Sequence, residues 1–364
     1  MAKTAKSLIG IGAILGSLMA ASPAGAQGGA QCGGLDATID TPVEGSTFYE
    51  GTSGPDVIVA TYVPGTLVWV DGLGGDDVIC VVGKPSAFPD TEDAWLFGGS
   101  GSDTIYGGDG ADLLFGSGFS DEPDESNIMH GGLGNDLLLG GEASDELFGN
   151  QGDDLIGGGP GDDIIHGGQG HDLVAAQEGD DQVFGGPGND AIYGGLGKDE
   201  LFGGTGNDAI FSHQGLDGDI ELEPFEGIGQ GSVAPELDTA GSRMFGGAGN
   251  DVIIGSNRWD RMQGGDGNDI LMGLEGRDWI RGGAGSDIVI GGAGIDDVNG
   301  NLGNDNLLIV GEDVGLGGFG IDVCHFGNGS EAAQLRSCEA EQSLGAEWND
   351  VSGRFDDIWN YWDI

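Results

Sequence analysis

Aspartate returns every nine residues through most of this chain, in most copies after a glycine-rich approach. Copies of the phrase Gly-Gly-x-Gly-x-Asp, some of them varied at the glycines and each followed by three residues, begin at Gly98 and Gly107. They then run unbroken from Gly131 to Phe211 and again from Gly246 to Leu308. Position 6 is always Asp: Asp103, Asp112, Asp136, Asp145, Asp154, Asp163, Asp172, Asp181, Asp190, Asp199, Asp208, Asp251, Asp260, Asp269, Asp278, Asp287, Asp296 and Asp305. Carboxylates, and the carbonyls that glycine leaves unobstructed, are hard oxygen ligands. They suit Ca2+ better than Mg2+, which keeps its water shell. The expected ligands are these aspartates except Asp260, where Arg258 supplies a cation of its own. With them go the turn carbonyls of Gly134, Gly152, Gly170, Gly188, Gly206, Gly249, Gly267 and Gly285.

The elements that carry them follow from the rest of the phrase. Position 8 is apolar in every copy, from Ile105 to Leu307. Positions 7 to 9 therefore read as a short strand with its middle side chain inward. The glycines supply a turn with left-handed or crowded backbone, which other residues tolerate poorly. Two phrases make one flattened coil, and stacked coils pair strand on strand at ~4.8 Å, burying the position-8 ladder between two sheets. Stacking also sets carboxylate over carboxylate, each pair repelling by ~1 kcal/mol even at the dielectric of water. A cation between them is expected, with folding coupled to its arrival.

Alternate phrases fall on opposite faces. On face A, which holds the phrase at Gly131, outward residues such as Leu137, Leu139, Val252 and Ile254 are apolar. That face is expected to be covered by the 212–245 loop, the C-terminal tail or a partner. Face B carries a ring in successive coils: Tyr106, His130, Phe148, His166, Phe184 and Phe202. These read as a stacking ladder, with a platform for a sugar polymer as the alternative. The turns also differ. Edge A, leading into face A, has Gly at position 4 throughout, whereas edge B is interrupted at Phe119, Ser144 and Arg258. A continuous ion column is expected along edge A, with gaps on edge B near Phe119–Ser144 and near Arg258.

The nonapeptide resembles the RTX (repeats-in-toxin, haemolysin-type) calcium-binding repeat over roughly residues 98–325. Degenerate copies stand at Gly51–Val59 ("GTSGPDVIV") and Asp71–Ile79 ("DGLGGDDVI"). The resemblance implies an all-β fold, a parallel β-roll (a right-handed β-solenoid) with end caps, holding multiple Ca2+ ions between the turns of successive coils. The opening "CGGLDATI" and closing "GGFGIDVC" segments look like stand-alone secreted bacterial RTX proteins. Type I-exported members carry a C-terminal address and no N-terminal signal. This chain departs from them there.

Residues 1–26 read as a signal peptide: Lys3 and Lys6, an apolar run from Leu8 to Ala21, and a small-residue site at Ala24-Gly25-Ala26. A secreted protein is expected, with an N-terminal cap over 27–97 and roll blocks over 98–211 and 246–325. A degenerate repeat with a long loop spans 212–245 between the blocks. Export permits disulfides. Of the three pairings open to Cys32, Cys80, Cys324 and Cys338, proximity favours Cys32–Cys80 and Cys324–Cys338. Residues 326–364 read as a disulfide clasp and an amphipathic helix from Trp348 to Trp362 that caps the last coil.

With 62 acidic and 11 basic residues the formal charge is −51, which makes nucleic acid a poor partner and cations natural ones. No stretch after the signal is long and apolar enough to span a membrane. The chain lacks His-Glu-x-x-His, Gly-x-Ser-x-Gly and a phosphate-loop lysine, so it reads as no enzyme. A hydrolase using the acidic loops Asp121–Glu125 and Glu221–Glu226 is the remote alternative. The reading is a calcium-dependent structural or surface-associated module, its partner a cell-surface polysaccharide or protein.

Overall fold

An apolar residue flanked by outward ones, repeated after a glycine turn, can be buried only by stacking on its own copies. That is what the chain does. The computed structural model describes residues 31–32, 34–42, 47–62, 66–82, 92–117, 125–212, 241–309, 313–326, 334–336, 338 and 340–343. They fall into two units, Met1–Ser242 and Arg243–Ile364. The signal segment, the acidic loops apart from Glu125, the bulk of the 212–245 loop and the C-terminal helix expected from sequence lie outside the described residues.

Each unit is a parallel β-solenoid of two sheets. In the first unit sheet A runs from Phe48–Glu50 to Ala209–Phe211, and sheet B from Val57–Thr61 to Glu200–Thr205. In the second, sheet A runs from Val252–Ile254 to Ala340–Ser343, and sheet B from Arg243–Ala248 to Gln334–Arg336. The register advances by one phrase pair per coil: Leu138 faces Ile156, which faces Val174, which faces Ile192. Position-8 side chains from Ile105 to Leu307 are fully buried. The insertion before Ile128 is absorbed outside the ladder, since Met129 still pairs with both Ile105 and Leu147.

Three details depart from the sequence reading. Many strands run on through positions 1 to 3, as in Leu155–Pro160, because side-chain-free glycines let the backbone keep pairing while it turns. The N-terminal degenerate copies are already coils, and the second begins at Gly72, not Asp71: Asp71 ends the strand Val68–Asp71, and Val78 pairs with Thr104. At the other end, Gln334–Arg336 and Ala340–Ser343 add strands to sheets B and A, so the clasp segment extends the roll.

Both disulfides are formed, Cys32–Cys80 and Cys324–Cys338, each with Cα atoms 5.9 Å apart. Cys80 points outward from sheet B, where Cys32, Ala37, Val59 and Tyr106 pack around it. The first clasp thus holds the hairpin Gln31–Cys32/Leu35–Asp36 against the side of the roll, while Ile39 bridges to Ile58. Cys324 is buried, facing Leu307 in the register.

Candidate metal sites at the coil edges

The position-6 aspartates line the two edges, where turn meets strand. In the full repeats they are at most 3% exposed, an unusual place for a carboxylate. Each is held the same way. The N–H of one Asp donates to Oδ1 of the Asp a coil further on: Asp136 to Asp154, Asp154 to Asp172 and Asp172 to Asp190, at 2.8–2.9 Å on edge A. On edge B, Asp145 donates to Asp163 and Asp163 to Asp181, both at 2.8 Å. The second unit repeats the pattern through Asp251, Asp269, Asp287 and Asp305, and through Asp260, Asp278 and Asp296. One carboxylate oxygen therefore staples coil to coil.

The other oxygen is different. Oδ2 of Asp154, Asp163, Asp172, Asp181, Asp190, Asp269, Asp278, Asp287, Asp296 and Asp305 is buried and accepts no hydrogen bond from the described residues. Except at Asp181, whose phrase opens on Ala176, it faces the position-1 glycine of its own phrase. A Cβ added to Gly185 would lie 2.5 Å from Asp190 Oδ2 and 2.6 Å from the Gly203 carbonyl oxygen. Each glycine thus leaves open a cradle bordered by carboxylate and carbonyl oxygens. Among the described residues no three His, Cys, Asp or Glu side chains converge, so an ion held here must draw on the backbone. The donor set is all oxygen and suits Ca2+. The sequence-expected glycines from Gly134 to Gly285 are all left-handed, with φ between 115° and 154°. Their carbonyls stack along the edge, that of Gly170 against Gly188. The position-1 glycines border the carboxylate more directly, although the sequence reading favoured position 4.

Without an ion these carboxylates are far from their ordinary state. Burial pushes Asp163, Asp181 and Asp278 up to about 8, Asp154, Asp172 and Asp287 to about 7, and Asp190, Asp269 and Asp296 to about 6. The hydrogen bond at Oδ1 opposes the shift, and neighbouring aspartates add to it at Asp163, Asp181 and Asp278. A second ladder, invisible to the position-6 pattern, runs at position 5 in the opposite sense. Asp153 donates its N–H to Asn135 Oδ1, and His171 to Asp153 Oδ1. Ser144 is a rung of this ladder, accepting from Asp162 N–H; position 4 of its phrase is Ala143.

Some turns close on themselves, and they lie on edge B. Thr52 donates its N–H and hydroxyl to Asp56 Oδ2, at 2.7 and 2.8 Å. Ser256 does the same to Asp260 Oδ2, at 2.7 and 3.0 Å. At the insertion Asn127 stands in the Asp column, its amide nitrogen beside Gly116 where a carboxylate oxygen would sit. Ser242 takes the column position beyond Asp199 and directs its hydroxyl at Asp199 Oδ2. Asp199 was expected among the ion ligands, and Asp260 was set aside on account of Arg258. Asp260 Oδ2 accepts from Ser256.

The face B rings stack from Tyr106 to Phe202, with centroids 4.6–5.0 Å apart and planes within 10°. Each inner ring covers its neighbours' faces and turns only its edge outward. Burial lowers the pKa values of His130 and His166 below the usual histidine range, which suits neutral members of a ring stack. The outward residues of face A are mostly half-buried, and Ile288 is exposed.

A buried double column of carboxylates on a parallel two-sheet solenoid defines a repeat protein of the β-roll class. A family model for the RTX calcium-binding nonapeptide repeat matches the chain in overlapping segments over residues 90–122, 124–217 and 241–307. The chain belongs to that family, whose repeats are calcium-binding motifs. No curated protein matches it.

Proposed function

We propose that the chain is an exported calcium-dependent β-roll whose role is structural: a module that becomes rigid where Ca2+ is abundant and presents its sheet faces at or near a cell surface. The observation that carries this reading is the column of buried Oδ2 atoms beside open glycine cradles. Ions there would be held by the position-6 carboxylates with carbonyls of the turn glycines, chiefly at positions 1 and 4. Bound Ca2+ supplies the positive charge that a buried carboxylate column otherwise lacks, and its binding energy becomes folding energy. The two disulfides suit an oxidising compartment, and residues 1–26 supply the export signal. No catalytic role is assigned.

Circular dichroism in chelator and in millimolar Ca2+ tests the reading. Little β-structure in chelator, a large gain with Ca2+ and a much smaller one with equal Mg2+ are expected. An apo chain equally β-rich at neutral pH would overturn it. A polysaccharide-binding role through the face B rings is the second reading, favoured by the unbroken ring ladder. Sugar stacking needs exposed ring faces, however, and the ladder covers its inner ones, so sheet stabilisation is preferred. Retention on immobilised polysaccharide in Ca2+, lost on Phe148→Ala, would reverse that preference.

A further inference from the structure

The open and the self-closed turns differ at one residue. In open turns position 2 has left-handed backbone, and glycine is not required there. Gln177 before Asp181 has φ 88°, Leu274 before Asp278 has φ 76°, and Asn301 before Asp305 has φ 77°. In each of these turns Oδ2 of the Asp has no hydrogen-bond partner. A left-handed leucine costs about 1–2 kcal/mol, so the open conformation is held against local preference. In the self-closed turns position 2 is Thr52 or Ser256, and neither has a positive φ. There the position-2 N–H and hydroxyl both reach Oδ2. The position-4 N–H, from Gly54 or Arg258, then donates to that hydroxyl at 3.2 Å. Two turns in different units share this three-bond closure, although their sequences, "GTSGPD" and "GSNRWD", agree only at the ends.

The same criterion identifies open turns beyond the family match. Asp77 follows Leu73, left-handed at φ 71°, and Asp322 follows Gly318 at φ 109°. Both carboxylates are no more than 1% exposed and have an Oδ2 with no hydrogen-bond partner. Their Oδ1 atoms accept from Asp56 N–H and Asp305 N–H, at 2.8 and 3.0 Å, as in the full repeats. Gly72 leaves the cradle beside Asp77, where a Cβ would meet Asp77 Oδ2 and the Gly98 carbonyl.

We propose that the backbone hand at position 2 decides which turns take calcium: Asp77 and Asp322, outside the matched repeats, hold it, whereas Asp56 and Asp260 are stapled by Thr52 and Ser256 and hold none. The proposal rests on the calcium reading above, and its test separates the two. Bound calcium per chain is counted by elemental analysis of the full protein after gel filtration in Ca2+, with circular dichroism as a check on folding. Asp77→Asn and Asp322→Asn should each lower the count, as Asp172→Asn should, while Asp260→Asn should leave it unchanged. Two further variants keep every carboxylate. Leu73→Ser should close an open turn and lower the count by at least one, and the double change S256G/R258G should raise it by at least one. If the carboxylate variants unfold, this pair decides, and an unchanged count in both overturns the proposal. Loss of an ion from folded Asp260→Asn would overturn it too. Absence of bound calcium from the unmodified chain would instead sink the calcium reading itself.

Discussion

The two edges of the roll are built from the same nine-residue phrase, yet only one of them is kept uniform. Edge A has Asp at position 6 and Gly at position 4 in phrase after phrase. Edge B carries Asn127 and Ser242 in the carboxylate column and closes Asp56 and Asp260 with hydroxyls. Both edges staple coil to coil through Oδ1 or its substitute, so the fold tolerates either solution. What differs is the second oxygen. A staple needs one acceptor, whereas an ion site needs a second oxygen left open and a backbone turned to support it. Insertions and irregular turns gather where that second demand has lapsed.

The sharpest way to break the comparison is to put one side chain at position 4 of each edge. Gly188 has φ 154° and lies against the Gly170 carbonyl, with no room for a Cβ. Gly188→Ala should cost ~2 kcal/mol or more and move the calcium-induced folding midpoint several-fold upward. Edge B already carries Ala143 there, and Ala143→Gly should shift the midpoint little. Equal effects at both positions, measured by calcium titration, would abolish the distinction.

Acid should replace calcium on both edges. Burial raises the ladder carboxylates, so the folded state favours their protonated form. The stability they contribute is therefore fully present below the unfolded carboxylate range, near pH ~4, and is lost as pH rises through about 6 to 8. In chelator, β-structure should form in acid and melt across that window, and saturating Ca2+ should abolish the dependence. Edge B carboxylates such as Asp163 and Asp181 should release their protons last. A transition confined to pH values near 4 would mean that overall charge, not the buried column, governs folding.

Smaller effects sharpen the picture. Ser256→Ala removes one donor from Asp260 and should cost ~1–2 kcal/mol in thermal unfolding at saturating Ca2+, with no change in bound calcium. On face B, Phe184→Leu should cost about 0.5–1.5 kcal/mol, because it breaks the ring stack while keeping an apolar side chain. An effect below a few tenths would show that the rings contribute only buried area.

Much of this was legible in the sequence because the fold is local and repeated. A phrase with one inward residue and one carboxylate at fixed offsets has few ways to stack, so the two sheets, the buried ladder from Ile105 to Leu307 and the edge position of each Asp follow from periodicity. Periodicity speaks only where the phrase is kept. Asp77 lies in a degenerate copy and Asp322 in an intact phrase one residue out of step, so their places in the columns, like those of the strands at 334–336 and 340–343 in the sheets, are set by hydrogen bonds across coils. The hydroxyl closures at Thr52 and Ser256 depend on the hand of one backbone residue, which composition does not specify: Leu73 and Leu274 turn left-handed with no glycine to announce it. The sequence by itself determined the repeat and hence the architecture, since stacking is the only way such a phrase can bury its apolar residue. Only the tertiary structure decided which carboxylates keep an oxygen open, because that depends on which donors the neighbouring turn brings within reach.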